Sequence, residues 1–262
     1  MIKPLYNPRN EAMKVAAFMS GSGSNLRRIL ERQQQLRQQG KEIFRVVMIF
    51  TDAADEKICN ARKIAEEYKI AYYCNDIREY YRKRGLSDRK DMKVREDYDA
   101  ETAKLLKMHK VDVVALCGYM SIITRPVIGG FLTLNVHPAD LRIKDESGRR
   151  KYAGCMGSDC VKKALMNREK EVRSTTHIVA EEVDQGQLLL ISKPVKLDAS
   201  SGSSGEELEK VAHEYQEKLK EGGDWKIYPE TIQMLAEGRF VADEKEMIYV
   251  DGRPIPEGHV ME

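Results

Sequence analysis

Three short constellations in this sequence hold side chains that could do chemistry. The first is Gly21-Ser22-Gly23-Ser24-Asn25, between an apolar run and the start of a helical pattern. At such a junction, free backbone N–H groups and the helix dipole favour an anion, and glycine lets the chain approach a phosphate closely. Ser24 or Asn25 can also cap the helix. Leu26 stands where a dinucleotide fingerprint requires glycine, and no Gly-Lys-Ser/Thr follows as in a P-loop. An ordinary tight turn before a capped helix reads equally well from these residues.

The second is Asn135-Val136-His137-Pro138 at the end of a predicted strand. Residues two apart on a strand face the same way, so Asn135 and His137 could offer an amide donor and a titratable group to one reacting atom. That pairing suits a tetrahedral oxyanion. A lone strand-end histidine is more often an ordinary satisfied polar residue. The third is Asp184, in a turn that closes on Gly186. Turn chemistry alone accounts for an Asp there. Beside an imidazole, its carboxylate would raise the histidine's proton affinity and help move protons. His177 reads as structural, and His109, His213 and His259 lie in polar helical or tail positions.

These residues need a scaffold, and the composition supplies one. The chain has 262 residues, 42% hydrophobic and 33% charged, which suits a sizeable core under a well-solvated surface rather than disorder. Lys plus Arg number 44 against 42 Asp plus Glu, a balance that gives no support for binding along nucleic acid. No apolar run approaches the roughly 18 residues of a membrane span, and the first residues have no apolar signal core. Five cysteines, odd in number and scattered, read as free thiols of a cytoplasmic protein. Cys155 and Cys160 lack the second Cys or His pair of a familiar zinc site and read as two incidental thiols.

Strands are expected over 14–20, 44–50, 70–74 and 111–117, with a fifth ending at Asn135-Val136-His137-Pro138. Helices are expected after Asn25 and over 56–69 and 94–109. Strands alternating with helices imply βαβ units and a mostly parallel sheet with right-handed crossovers. The charged stretch 78–93 reads as a solvated loop or helical face. Beyond it, 174–180 and 187–195 read as an antiparallel hairpin, and 199–205 as a flexible link. An amphipathic helix over 206–220 follows, then a helix starting near Tyr228-Pro229 and stopping at Gly238, and a last strand over 247–250.

In order along the chain, Phe18-Met19-Ser20-Gly21-Ser22-Gly23-Ser24-Asn25-Leu26, Leu116-Cys117-Gly118-Tyr119-Met120, Leu134-Asn135-Val136-His137-Pro138, His177-Ile178-Val179 and Val183-Asp184-Gln185-Gly186 resemble the phosphoribosylglycinamide formyltransferases, folate-dependent enzymes of purine synthesis. The resemblance runs from about Lys14 past Tyr228-Pro229 to Pro256. It implies an α/β, Rossmann-like formyltransferase fold: a mostly parallel twisted sheet flanked by helices, with a C-terminal antiparallel hairpin. Residues 1–262 would form one domain, with 14–138 the nucleotide- and phosphate-binding half and 139–262 the folate side and C-terminal part.

The resemblance carries the family's catalytic trio onto Asn135, His137 and Asp184. Its phosphate loop falls on Gly21, Ser22, Gly23, Ser24 and Asn25. Its pterin pocket falls around Tyr119, Met120, Ser121, Ile122 and Ile123 and on the backbone at Val183, and Asp224 matches its ribose contact. The implied reaction passes a formyl group from 10-formyltetrahydrofolate, as co-substrate, to the amine of glycinamide ribonucleotide, without a metal. The implied partners are therefore a small nucleotide and a folate, with neither nucleic acid nor membrane, in a cytoplasmic monomer or homodimer.

The sequence departs from the pattern in places. His137-Pro138-Ala139-Asp140-Leu141-Arg142 replaces His-Pro-Ser-Leu-Leu-Pro, a basic insertion spans 144–151, Gly154-Cys155-Met156 replaces Gly-Leu-His, and Ser121 stands for an arginine. Those changes fall on the folate-side loop and on substrate closure. A formyltetrahydrofolate deformylase shares the trio but usually carries an N-terminal regulatory domain, whereas 13 residues precede the first strand here. A methionyl-tRNA formyltransferase usually carries a C-terminal RNA-binding domain. A non-catalytic nucleotide- or folate-binding relative is the remaining alternative.

Overall fold

Apolar runs broken by glycine and Asx turns build the first of two compact units, Tyr6–Asn135. The computed structural model describes residues 2–198 and 205–261. The Met13–Met19 strand is almost wholly buried and pairs in parallel with Phe44–Thr51 on one side and Val113–Leu116 on the other. Ala71–Cys74 and the Leu132–His137 strand extend the two edges, also in parallel. Strands covered on both faces explain why these runs read as continuous apolar stretches rather than alternating ones. The chain steps first to one side of Met13–Met19 and then to the other, so this strand's carboxyl end is a topological switch point. In open α/β sheets that is where ligands bind. The glycine loop leaves from that point.

Several expectations need correction. The helix expected over 56–69 is Ala61–Tyr68 only. Asp55 turns the chain first, its side chain accepting the Lys57 N–H, and Ile58 points outward at 58% exposure instead of joining the apolar face. The charged stretch 78–93 contains a short helix, Ile77–Arg82, capped by Asp76, and it buries Tyr80 and Tyr81. The helix Ser24–Gln38 takes no side-chain cap from Ser24 or Asn25. It starts inside the glycine loop, with Gly23 at φ 73° as the flanking residue, a left-handed conformation natural to glycine.

The second unit joins Met1–Leu5 to Val136–Glu262. Its antiparallel pair, Thr175–Ile178 with Leu188–Ile191, is the expected hairpin. Helices Ser158–Met166 and Gly205–Leu219 share a core that holds Tyr152, Cys160, Val161, Ala164, Ala212 and Leu219. The helix expected to start near Tyr228 begins earlier, at Trp225, straight out of a π-helical turn over Lys220–Asp224. A small antiparallel sheet of Lys3–Pro4, Phe240–Ala242, Ile248–Val250 and Arg253–Pro254 completes the unit. The link read over 199–205 lies outside the described residues but for Gly205, which opens a helix.

The thiol reading also changes. Cys155 and Cys160 are joined in a disulfide, while Cys59, Cys74 and Cys117 are free. The chain between Tyr152 and the Ser158–Met166 helix reverses at Gly154 and Gly157, both at positive φ, and brings the two Cα atoms within 5.2 Å. Counting and spacing cysteines along the sequence does not register such a reversal.

Candidate active site

In the parallel unit, the loop after Met13–Met19 is fixed by its neighbours. The Asn60 amide N–H donates to the Gly21 carbonyl at 3.1 Å and the Asn60 side chain to the Ser22 carbonyl at 3.3 Å. Loop carbonyls are thus occupied, and the first turn of a 15-residue helix follows directly. The Asn25 Oδ1 is buried without a hydrogen-bond partner among the described residues. Asp52, buried at the end of the neighbouring strand, accepts from the hydroxyls of Ser20 and Ser121, and Ser20 accepts the Met120 N–H at 2.9 Å. One carboxylate thereby ties the glycine loop to the 118–121 loop across the switch point.

The residues matched to the pterin pocket divide. Met120 and Ile122 are exposed at 59% and 50%, apolar surface open to a ligand. Tyr119 turns its ring toward Phe18, with centroids 5.5 Å apart, and its hydroxyl accepts from Arg95. Ile123 is buried, and Ser121 is held by Asp52. In the other unit, Val183 is exposed, and Asp224 is buried, accepting from the Ser174 hydroxyl.

The second unit brings His137 and Asp184 together. His137 ends the Leu132–His137 strand, two residues after the half-buried Asn135, and is only 3% exposed. Its Nδ1 lies 3.4 Å from Asp184 Oδ2. On the far side of the ring, Nε2 lies 2.9 Å from the Tyr152 carbonyl, with Cys155 Sγ at 3.6 Å and Cys160 Sγ at 3.8 Å. Two oxygen acceptors flanking the ring are both satisfied only by an imidazolium. Burial opposes the charge and prevails over the pull of Asp184, holding His137 below the ordinary imidazole range.

Asp184 sits at φ 55° in the hairpin turn. Burial alone would raise its pKa. The hydrogen bond from His177, the charges of His137 and His177 and the Gly154 N–H at 2.8 Å overcome this and hold it at about 2. Asp184 is therefore ionised at neutral pH, beside an imidazole that can take up a proton as negative charge grows nearby.

Sequence reasoning missed two supports. His177, read as structural, places its Nε2 3.4 Å from Asp184 Oδ1. Arg150, inside the basic insertion, donates through Nη1 to the carbonyls of Asp184 at 2.6 Å and Gly186 at 2.8 Å, pinning the turn. A run of charges usually marks a solvated face, so no local signal singled Arg150 out. The insertion itself is an ordered turn: Asp145 Oδ1 accepts from the Ser147 and Arg149 backbone N–H groups, and the backbones of Lys144 and Arg150 pair in an antiparallel β-bridge.

This network makes the fold sensitive to acid. Both groups have lowered folded pKa values, so the unfolded chain binds more protons and stability rises with pH. The His137 contribution is complete above its ordinary 6.5 and is lost as pH falls through its lower folded value. That of Asp184 is complete above 3.8 and is lost as pH falls toward about 2. Urea unfolding at about pH 7.5, 5 and 2.5 is expected to show a falling free energy, with Asp184→Asn flattening the most acidic step. A flat profile would remove the pair from the stability of the fold.

The family model described as formyl transferase matches residues 13–219. A phosphoribosylglycinamide formyltransferase from Haemophilus influenzae is 26% identical over 93% of this chain and 96% of its own. A glycinamide ribonucleotide transformylase from Symbiobacterium toebii superposes with a TM-score of 0.67 at 25% identity, covering 92% of this chain and 95% of its own. A formyltetrahydrofolate deformylase from Pseudomonas syringae shares the fold with a TM-score of 0.67 at 18% identity, over 92% of this chain and 66% of its own.

Proposed function

The chain belongs to the formyl transferase family, and from that premise we propose that it is the phosphoribosylglycinamide formyltransferase of a purine pathway. It moves the formyl group of 10-formyltetrahydrofolate to the amine of glycinamide ribonucleotide. The observation that carries this reading is the approach of His137 to Asp184 within the matched span.

In this reading the substrate amine attacks the formyl carbon, and negative charge develops on the formyl oxygen. His137 and the Asn135 amide stabilise that charge; one such donor is worth about 3 kcal/mol of barrier. Asp184, ionised and aimed at Nδ1, stabilises the imidazolium formed as His137 takes up a proton. Water held at the Asp184 carboxylate relays the amine proton to the folate nitrogen as the intermediate collapses and the carbon–nitrogen bond to the folate breaks, and His137 returns to water the proton it had taken from it as the formyl carbonyl re-forms. Gly21 to Asn25 take the 5′-phosphate, on the support of the occupied loop carbonyls and the helix start behind them. The folate is assigned to Tyr119–Ile123 and Val183, of which Met120, Ile122 and Val183 offer exposed apolar surface. The ribose is assigned to Asp224.

A turnover assay with 10-formyltetrahydrofolate, with and without glycinamide ribonucleotide, tests the proposal. Folate release that depends on the ribonucleotide, with formylated product, is expected. Equal release without it would make water the acceptor, and binding without turnover would make the chain a non-catalytic relative.

The phosphate loop has its own test. A Cβ at Gly23 would meet Ile64 Cδ1 at 2.6 Å and Met19 Cε at 2.7 Å, so a variant there disturbs the core. Gly21 has nothing within 4 Å of such a Cβ. Gly21→Val is therefore expected to keep the thermal midpoint while weakening ribonucleotide binding about tenfold or more, by blocking close backbone approach. Unchanged affinity by calorimetry would reduce the loop to a turn.

A further inference from the structure

The reactive edge of His137 is covered by a short loop that a disulfide closes. Nε2 faces the Tyr152 carbonyl and both sulfurs of the Cys155–Cys160 bridge, and the ring is almost without solvent contact. Tyr152 is anchored independently, its ring in the core and its hydroxyl donating to Glu169 at 2.8 Å. Between that anchor and Cys160, on the first turn of the Ser158–Met166 helix, the bridge draws the chain back over the ring. The same loop reaches the other member of the pair, since the Gly154 N–H donates to Asp184 Oδ2. No substrate oxygen meets Nε2 while this loop lies down.

We propose that Cys155–Cys160 is a thiol–disulfide exchange site for a dithiol reductant, and that its redox state determines whether Nε2 of His137 is covered or open to substrate. Accessibility gives the exchange a direction: Cys155 is partly exposed, whereas Cys160 is buried. A thiolate of the reductant attacks Cys155 Sγ, the Cys155–Cys160 bond breaks, and the Cys160 sulfur leaves as a thiolate 3.8 Å from the imidazole. The second thiol of the reductant then attacks the mixed disulfide and releases Cys155. Two electrons and two protons pass to the protein, giving two thiols and an oxidised reductant. Without the bridge, residues 153–159 are no longer tied to the helix and can lift from the ring, and the peptide that joins Tyr152 to Ala153 turns its carbonyl away from Nε2 with them while the Tyr152 side chain stays anchored.

The proposal rests on the reading of His137 as the group that meets the formyl oxygen, so the test includes a readout that does not depend on turnover. Protein purified without reductant is alkylated and analysed by mass spectrometry. It is then assayed for formyl transfer before and after dithiothreitol, with the ¹⁵N signals of the His137 ring followed in parallel. The bridge is expected in the untreated protein. Reduction is expected to shift the His137 ring signals and to raise kcat/KM about tenfold or more, as for a protein with a tenth or less of its molecules competent beforehand. A Cys155→Ser, Cys160→Ser double variant is expected to run at the reduced rate without reductant.

Free thiols in the untreated protein would overturn the proposal. So would a bridge whose reduction changes neither the ring signals nor the rate, or a reduced protein that holds one equivalent of zinc on the two cysteines. Ring signals that shift with no formyl transfer in either state would uphold the exchange site and reject the proposed reaction.

Discussion

Alanine at position 137 is expected to lower kcat for formyl transfer by about 10²–10³-fold, the usual cost of removing one donor from a developing oxyanion. The loss should fall on kcat and on kcat/KM alike, because the interaction is made only as charge grows on the formyl oxygen. A larger KM with kcat unchanged would mean that His137 only binds substrate. His137 is buried, so the variant leaves a cavity beside Asp184 and costs stability as well. His137→Asn separates the two effects: it keeps a polar side chain for the Tyr152 carbonyl yet cannot exchange a proton. Both variants should therefore be slow, with the asparagine form the more stable of the two. Wild-type rates in either would take His137 out of the mechanism.

Gly186→Ala is expected to have the largest effect on stability. A Cβ there would stand 1.8 Å from the Ile178 carbonyl oxygen and 2.8 Å from its carbon. Both are backbone atoms of the paired strand, where Ile178 N–H donates to the Gln187 carbonyl at 2.9 Å, so neither side can yield by rotating a side chain. The turn must open. Opening it breaks the Arg150 bonds to Asp184 and Gly186 and moves the carboxylate away from His137. We expect a loss of about 3 kcal/mol or more, and a drop in Tm of roughly 6–12 °C for a chain of this size. Formyl transfer should fall with it, even at temperatures where the variant remains folded. Gly21→Val is the control for Tm alone, since a Cβ there has nothing within 4 Å. Equal Tm values for Gly186→Ala and the unaltered protein would mean that the hairpin turn takes another course.

The parallel layout, the glycine loop at a switch point and the chemistry offered at positions 135, 137 and 184 follow from residue types and short-range spacing, and those are properties a sequence carries openly. The Val113–Leu116 strand is apolar throughout because both its faces are covered, and the Met92–Met108 helix is legible over 94–109 through the stripe it buries, while its cap by Asp91 comes only from the structure. Family membership follows from the order of such motifs, which needs no folding to be read.

Tertiary structure alone decided which of these groups meet. Asp184 reaches His137 because a hairpin turn held by Arg150 returns to the end of a distant strand, and a contact between remote residues has no local signature. Tyr119 packs inward while Met120 faces out, a choice made by the space between Phe18 and Phe50 rather than by the apolar run containing them. The disulfide and the cover over Nε2 depend on two glycine reversals that put Cys155 and Cys160 beside the same ring. Residue types state what each group can donate or accept; only packing determines the distance over which it does so.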